Sequence, residues 1–169
     1  MTNRKLIFLS LLTSFGIILG LFESQIPLPV AIPGARLGLS NIVVLVTIIS
    51  IGYKEGLIVA LLKTIILVLV SGQVTAFFYS FAGALLSCFS MILSHKFLSK
   101  YLSLVGISEI GSFFHNLGQI LVASLMLKSL TIMTYLPLLV IIGIFTGYFV
   151  GISAIFMEKH LNKIKFKVV

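Results

Sequence analysis

The sequence contains no aspartate and no tryptophan, and its only acidic residues are four glutamates. Catalytic magnesium is usually held by clustered carboxylates, so the missing aspartates exclude this chain, acting alone, from reactions that need such a site. A single cysteine, Cys88, excludes an intrachain disulfide and a cysteine-rich metal site. We interpret it as a small apolar residue of a helix. The sequence shows no serine–histidine–acid set, Walker motif or phosphate-cradling loop, so we expect no catalytic residue, no enzyme activity and no cofactor.

Charged residues are also scarce, at 9% of the chain, whereas 59% of the residues are hydrophobic. A soluble domain has about a quarter charged residues, so the composition indicates a membrane protein. We expect one all-α membrane domain over residues 1–169. The net charge of +8 lies mostly at the ends of apolar runs and in the tail, which membrane topology explains without nucleic-acid binding. Anionic lipid is a secondary partner for these charges.

Six apolar runs predict a six-helix transmembrane bundle, because a span needs about 20 mostly apolar residues. The predicted spans are residues 5–23, 38–53, 55–72, 74–94, 110–128 and 135–157. One set of span ends carries only two basic residues, Arg36 and Lys128. The other set carries nine, which are Arg4, Lys5, Lys54, Lys96, Lys100, Lys159, Lys163, Lys165 and Lys167. The positive-inside rule therefore places both termini in the cytoplasm and leaves Arg36 as an exception on the outer side.

Small residues recur every four positions in several spans, a pattern that lets membrane helices pack closely. The sixth span has Gly143, Gly147 and Gly151 in this register. The first span has Gly16 and Gly20 on one face and Ser10 and Ser14 on another. Two interpretations stay open at this point, packing within the bundle and docking to a separate membrane subunit.

Polar side chains interrupt the third and fifth spans. Lys63 stands within LLKTIIL, where it either reaches back to the cytoplasmic interface or points inward to an anion. His115 and Gln119, four apart in FFHNLGQIL, share one helical face with Asn116 beside them. These three need hydrogen-bond partners, either on neighbouring helices or on a ligand, and we favour the ligand. No second histidine or acid lies at ligand spacing from His115, so we expect no metal site.

Residues 32–42, IPGARLGLSNI, form a polar break between the first two spans. Arg36 in this break could pair with Glu23 or with an anionic substrate, because a guanidinium grips a carboxylate or phosphate at two points. Pro33 and Gly34 suit a turn that presents the arginine. Both partners of Arg36, Glu23 and an anionic substrate, stay open at this point.

Further residues on the outer side could complete the same cavity. Gly38 allows close approach of the backbone, and Asn41 could cap or line the second helix. Gln73 and Tyr79 lie at the outer start of the fourth span. The candidate ligand-binding set is Arg36, Asn41, Lys63, Gln73, Tyr79, His115, Asn116 and Gln119.

The PGARLGLSN segment after the first span, the lysine of the third span and HNLGQ in the fifth resemble one membrane family. It is the heptaprenyl diphosphate synthase component I family, also called the Gx transporter family, and the resemblance covers nearly the whole chain. That family is grouped with the substrate-binding S components of energy-coupling factor (ECF) transporters. The resemblance implies a multi-pass protein of a prokaryotic plasma membrane that binds a vitamin or precursor from outside. It also implies a lid around Arg36.

The same resemblance implies partners, namely a T subunit and two ATPase subunits. Gly16 and Gly20, or Ser10 and Ser14, would take the place of the alanines with which S components dock to the T subunit. The association of the family with isoprenoid and quinone genes implies a small, anionic, partly apolar precursor as substrate. The family name alone does not make this chain the synthase, because it has no aspartate to hold magnesium.

Two functions other than import are also compatible with the sequence. The chain could be a non-catalytic membrane partner of a prenyl diphosphate synthase or of an extracellular electron-transfer assembly. Alternatively it could be an enzyme within the bilayer, with His115 as base, which the shortage of acids argues against.

Overall fold

The computed structural model describes residues 3–26 and 35–163, and within these ranges the chain is helical, without a strand. Its helices are α1 (Asn3–Glu23), α2 (Asn41–Ser50), α3 (Tyr53–Ser71), α4 (Val74–Leu98), α5 (Leu104–Met126) and α6 (Leu136–Lys163), with a 3₁₀ helix at Leu130–Tyr135. The predicted lid residues Pro33 and Gly34 lie outside the described residues.

Three helical segments are long and apolar enough to cross a membrane, and they identify the chain as a membrane protein. These segments are Asn3–Glu23, Val74–Leu98 and Leu130–Leu161. The helices α3 and α5 are also long, at 19 and 23 residues. They carry more polar side chains, and several of these, including Lys63 and His115, are buried inside the bundle.

The shortest α-helix, α2, lies at the centre of the bundle. It has 10 residues, and every residue from Asn41 to Ile48 is buried. A helix of this length spans about 15 Å, half of the hydrocarbon core. The sequence predicted a span over residues 38–53, but Gly38–Ser40 are not helical, because Gly38 has a φ of +88°. Non-helical backbone at membrane depth requires hydrogen-bond partners from the surrounding protein.

The start of α5 also differs from the prediction, which placed it at residue 110. The helix begins at Leu104, because the hydroxyl of Ser103 accepts a hydrogen bond from the Gly106 amide at 3.3 Å and caps the first turn. Glu109, assigned to a cytoplasmic connection by the sequence, is therefore part of a helix.

The glycines of α6 pack against α5. A Cβ added at Gly143 would lie 2.6 Å from Asn116 Nδ2, and one at Gly151 would lie 2.5 Å from Val105 Cα. Side chains at these positions would force the two helices apart. The glycine register of the sixth span therefore serves packing within the bundle.

Candidate functional site

The segment that enters α2 is held inside the bundle by side chains from three helices. Gln119 of α5 forms a reciprocal pair with the backbone of Arg36. Its Oε1 accepts from the Arg36 amide at 2.7 Å, and its Nε2 donates to the Arg36 carbonyl at 2.8 Å. The hydroxyl of Thr146 in α6 donates to the Leu37 carbonyl at 3.3 Å. These bonds supply the partners that irregular backbone needs inside a membrane protein.

Glu23, the last residue of α1, satisfies the next three amides of this segment. Its carboxylate accepts from the amides of Gly38, of Leu39 at 3.3 Å and of Ser40 at 3.4 Å. The left-handed conformation of Gly38 turns consecutive amides toward one point. The carboxylate thus lies at the N-terminus of α2, where the helix dipole favours negative charge.

Lys63 of α3 points into the same region. Its ammonium donates to Ser40 Oγ and to Asn41 Oδ1, both at 2.9 Å, and the residue is 3% exposed. Asn41 in turn donates from Nδ2 to Ser87 Oγ of α4 at 3.3 Å. The structure therefore rejects the interpretation in which Lys63 reaches back to the cytoplasmic interface.

Two further groups of this region lack hydrogen-bond partners among the described residues. They are Nε of Arg36 and both ring nitrogens of His115, all of them buried. The His115 ring fills the space beside two glycines, since a Cβ at Gly38 would lie 3.0 Å from its Cδ2 and one at Gly83 would lie 2.9 Å from its Nδ1. The predicted pairing of Arg36 with Glu23 is not formed as an ion pair within 4.0 Å.

We refer to Glu23, Arg36, Ser40, Asn41, Lys63, His115 and Gln119 as the polar cluster. Each of its members is less than 10% exposed. The polar cluster contains two basic side chains that carry a formal positive charge, Arg36 and Lys63, and one carboxylate, Glu23. A buried charge without a counter-charge is expensive in a low-dielectric interior. The polar cluster therefore has one formal positive charge more than it has carboxylates to balance it.

On its other side, α5 carries polar side chains that are already paired. Asn116 Nδ2 donates to the Leu139 carbonyl at 2.8 Å, and Ser112 Oγ donates to the Gly143 carbonyl at 2.8 Å. Asn116 thus joins α5 to α6 and does not point into the polar cluster with its neighbour His115. A cavity of about 10 Å³ lies between the polar cluster and this interface, enough for about one water molecule.

The remaining predicted site residues lie apart from the polar cluster. Gln73 is exposed at the start of α4. Tyr79 is buried in an apolar cluster with Ile120, Ala123, Ile132 and Leu139, and Ala35 packs against the same cluster. Of the predicted ligand residues, the structure brings together Arg36, Asn41, Lys63, His115 and Gln119.

The two predicted docking pairs of α1 differ in exposure. Gly16 and Gly20 are buried against other helices of the same chain, because added Cβ atoms would lie 2.6 Å from Val43 Cγ2 and 2.5 Å from Leu67 Cδ2. They cannot contact a partner in this conformation. Ser10 and Ser14 are exposed and border an apolar groove between α1 and α3.

The ligand set drawn from the sequence omitted Glu23, Ser40 and Ser87. From the sequence, Glu23 is a candidate only for an ion pair with Arg36. A second signal was available, since it is the sole acid near the outer end of an apolar run and precedes the polar break. Ser87 gave no such signal, because serines of a membrane helix serve packing equally well.

The part of the chain that the structure describes holds no group of three or more histidine, cysteine or acidic residues that could bind a metal ion. A family model described as heptaprenyl diphosphate synthase component I matches residues 12–157. No curated protein and no solved structure matches the chain.

Proposed function

Because the chain belongs to the heptaprenyl diphosphate synthase component I family, we propose that it binds a small anionic, partly apolar precursor of isoprenoid or quinone type within the membrane. In this proposal it is the S component of an ECF transporter and captures the precursor from outside. The observation that carries the proposal is the excess of buried basic residues around the N-terminus of α2. A half-length helix with its N-terminus inside the bundle is an arrangement that membrane transporters use for anionic groups.

The proposed roles follow from the contacts. Arg36 and Lys63 hold the acid group of the ligand, and His115 donates from a ring nitrogen that has no partner in the described chain. Asn41 and Gln119 fix the lysine and the arginine backbone in place. The apolar cluster around Tyr79 packs against Ala35, next to Arg36, and is the proposed wall for the rest of the ligand.

The proposed topology has six membrane segments and cytoplasmic termini, with residues 35–40 completing the segment that contains α2. Energy for import would come from a T subunit and two ATPase subunits, since the sequence shows no nucleotide-binding motif. The exposed pair Ser10 and Ser14 is the proposed docking face. Their small side chains allow close approach of a partner helix.

Native mass spectrometry of the purified protein tests ligand binding directly. We expect a co-purified acidic small molecule on the wild-type protein and its loss from Arg36→Ala. Gln73→Ala is the matched control, because Gln73 is polar but exposed and outside the polar cluster. Equal ligand occupancy in Arg36→Ala and in the wild type would contradict the assignment.

The family description supports a second candidate, since it names one component of a synthase. In that case the chain is a non-catalytic membrane partner of a prenyl diphosphate synthase. Affinity purification from the native membrane distinguishes the two. Recovery of T and ATPase subunits supports import, whereas recovery of a synthase subunit without them supports the second candidate.

A further inference from the structure

Three consecutive amides at the N-terminus of α2 already hold an anion, and that anion belongs to the chain itself. The amides are those of Gly38, Leu39 and Ser40, and the anion is the carboxylate of Glu23. The contacts from the Leu39 and Ser40 amides, at 3.3 and 3.4 Å, are long for N–H···O hydrogen bonds, so a better-placed acceptor could form shorter ones. The N-terminus of a helix with converging amides is a general site for carboxylates and phosphates.

A second observation points to a ligand at the same place. His115 is 4% exposed, and neither of its ring nitrogens makes a hydrogen bond of good geometry with the described residues, although the backbones of Gly83 and Arg36 lie beside the ring. The ring packs against Gly38, since a Cβ there would lie 3.0 Å from Cδ2 and 3.4 Å from Nε2. The Glu23 carboxylate makes no bond to the ring. A buried donor without an acceptor is costly, and a larger anion in place of Glu23 would satisfy it.

The position of Glu23 permits such an exchange. It is the final residue of α1, so its displacement requires only the last turn of that helix to move. The surrounding residues are buried inside the bundle, which keeps phosphate headgroups of the bilayer out of reach. The anion is therefore the acid group of a small solute, and the bundle must open to admit it, because the cavity beside the polar cluster holds about one water molecule.

We propose that the Glu23 carboxylate occupies the anion site when no ligand is bound. The acid group of the bound solute then accepts hydrogen bonds from the amides of Gly38–Ser40 and displaces the Glu23 carboxylate. This inference rests on the proposed function, because it assumes that a solute anion enters the polar cluster. It gives Glu23 the role of an internal competitor that weakens binding and assists release. It also places the anion site at the N-terminus of α2, and not at Arg36 alone.

Glu23→Gln tests the competition, because the amide keeps the size of the side chain and one acceptor oxygen but removes the charge. Isopentenyl diphosphate is the probe, with its binding measured by equilibrium dialysis on protein in phosphatidylcholine nanodiscs. We expect Glu23→Gln to bind the probe about tenfold more tightly than the wild type. Glu158→Gln makes the same chemical change far along α6 and should leave the affinity unchanged. Equal or weaker binding in Glu23→Gln overturns the inference.

Hydrogen exchange of the wild-type protein gives a measurement that does not depend on a variant. When the probe binds, amides 38–40 should stay protected, because a new anion replaces the old one. The last turn of α1 should exchange faster, because Glu23 no longer ties it to α2. Unchanged exchange of that turn at saturating probe overturns the displacement of Glu23.

The two proposals fail in different ways. Probe binding by the wild type without a gain in Glu23→Gln overturns only the role of Glu23. Absence of probe binding in both proteins overturns the displacement of Glu23 by a diphosphate, whereas the proposed function is contradicted separately, by equal occupancy of the co-purified acidic molecule in Arg36→Ala and in the wild type.

Discussion

Two neighbouring residues of α5, His115 and Asn116, belong to polar regions of opposite character. Asn116 lies in the α5–α6 interface, where its amide and the hydroxyl of Ser112 both donate to backbone carbonyls at 2.8 Å. His115 lies in the polar cluster, where its ring nitrogens and Nε of Arg36 have no partner within the described ranges. Polar groups in the bundle interior thus differ in pairing: those of the α5–α6 interface join helices, whereas the His115 ring and Nε of Arg36 lie beside two basic side chains and are the proposed ligand contacts.

The largest effect on stability should come from disrupting the α5–α6 interface. Gly151→Leu places side-chain atoms where a Cβ alone would lie 2.5 Å from Val105 Cα. We expect a loss of about 3 kcal/mol in unfolding free energy from the overpacked interface, measured by denaturant titration in detergent. The folded fraction should bind isopentenyl diphosphate with wild-type affinity. Reduced affinity of that fraction would show that the two regions are not separate.

The second-largest effect is a loss of ligand affinity, expected from a change within the polar cluster. Lys63→Met keeps the length of the side chain but removes the ammonium that donates to Ser40 and Asn41. We expect the affinity for isopentenyl diphosphate to fall about thirtyfold, because a charged donor to the ligand is lost. Lys128→Met, at the exposed end of α5, is the control and should bind normally. A wild-type affinity in Lys63→Met would remove the lysine from the site.

The third prediction compares variants of the adjacent residues Asn116 and His115. Asn116→Ala loses the bond to the Leu139 carbonyl and should lower the unfolding free energy by about 1 kcal/mol, with unchanged probe affinity. His115→Leu, which keeps most of the volume of the ring that packs between Gly38 and Gly83, should give the reverse pattern, weaker binding with little change in stability. The same titrations and dialysis measure both. Identical behaviour of the two variants would contradict the distinction between the α5–α6 interface and the polar cluster.

The smallest effect is expected at Gln73. This residue is polar and was predicted to bind ligand, but it is exposed outside both regions. Gln73→Ala should change the unfolding free energy by less than about 0.5 kcal/mol and leave probe affinity unaltered. A measurable loss of affinity would extend the site to the start of α4.

The positions of the long helices could be predicted from the sequence because apolar runs report them. The first predicted span ends at residue 23, as α1 does, and the fourth begins at residue 74, as α4 does. The starts of α2 and of α5 could not be predicted in this way. They depend on Gly38 and Ser103, whose backbone and capping contacts leave no mark on average hydropathy.

The candidate site was predictable in its residue types but not in its pairing. An arginine, a lysine and a histidine in apolar surroundings indicate a buried polar site wherever they occur. That Gln119 holds the backbone of Arg36 depends on a contact across 83 residues of sequence, and that Asn116 faces α6 depends on helix rotation. Neither contact can be read from local spacing.

The most direct test of the account is an experimental structure of the wild-type protein with its co-purified ligand, at a resolution that shows side chains. The account predicts the acid group of the ligand within hydrogen-bond distance of Arg36 and Lys63, at the N-terminus of α2. A ligand bound elsewhere, with both basic side chains paired to groups of the protein, would contradict it.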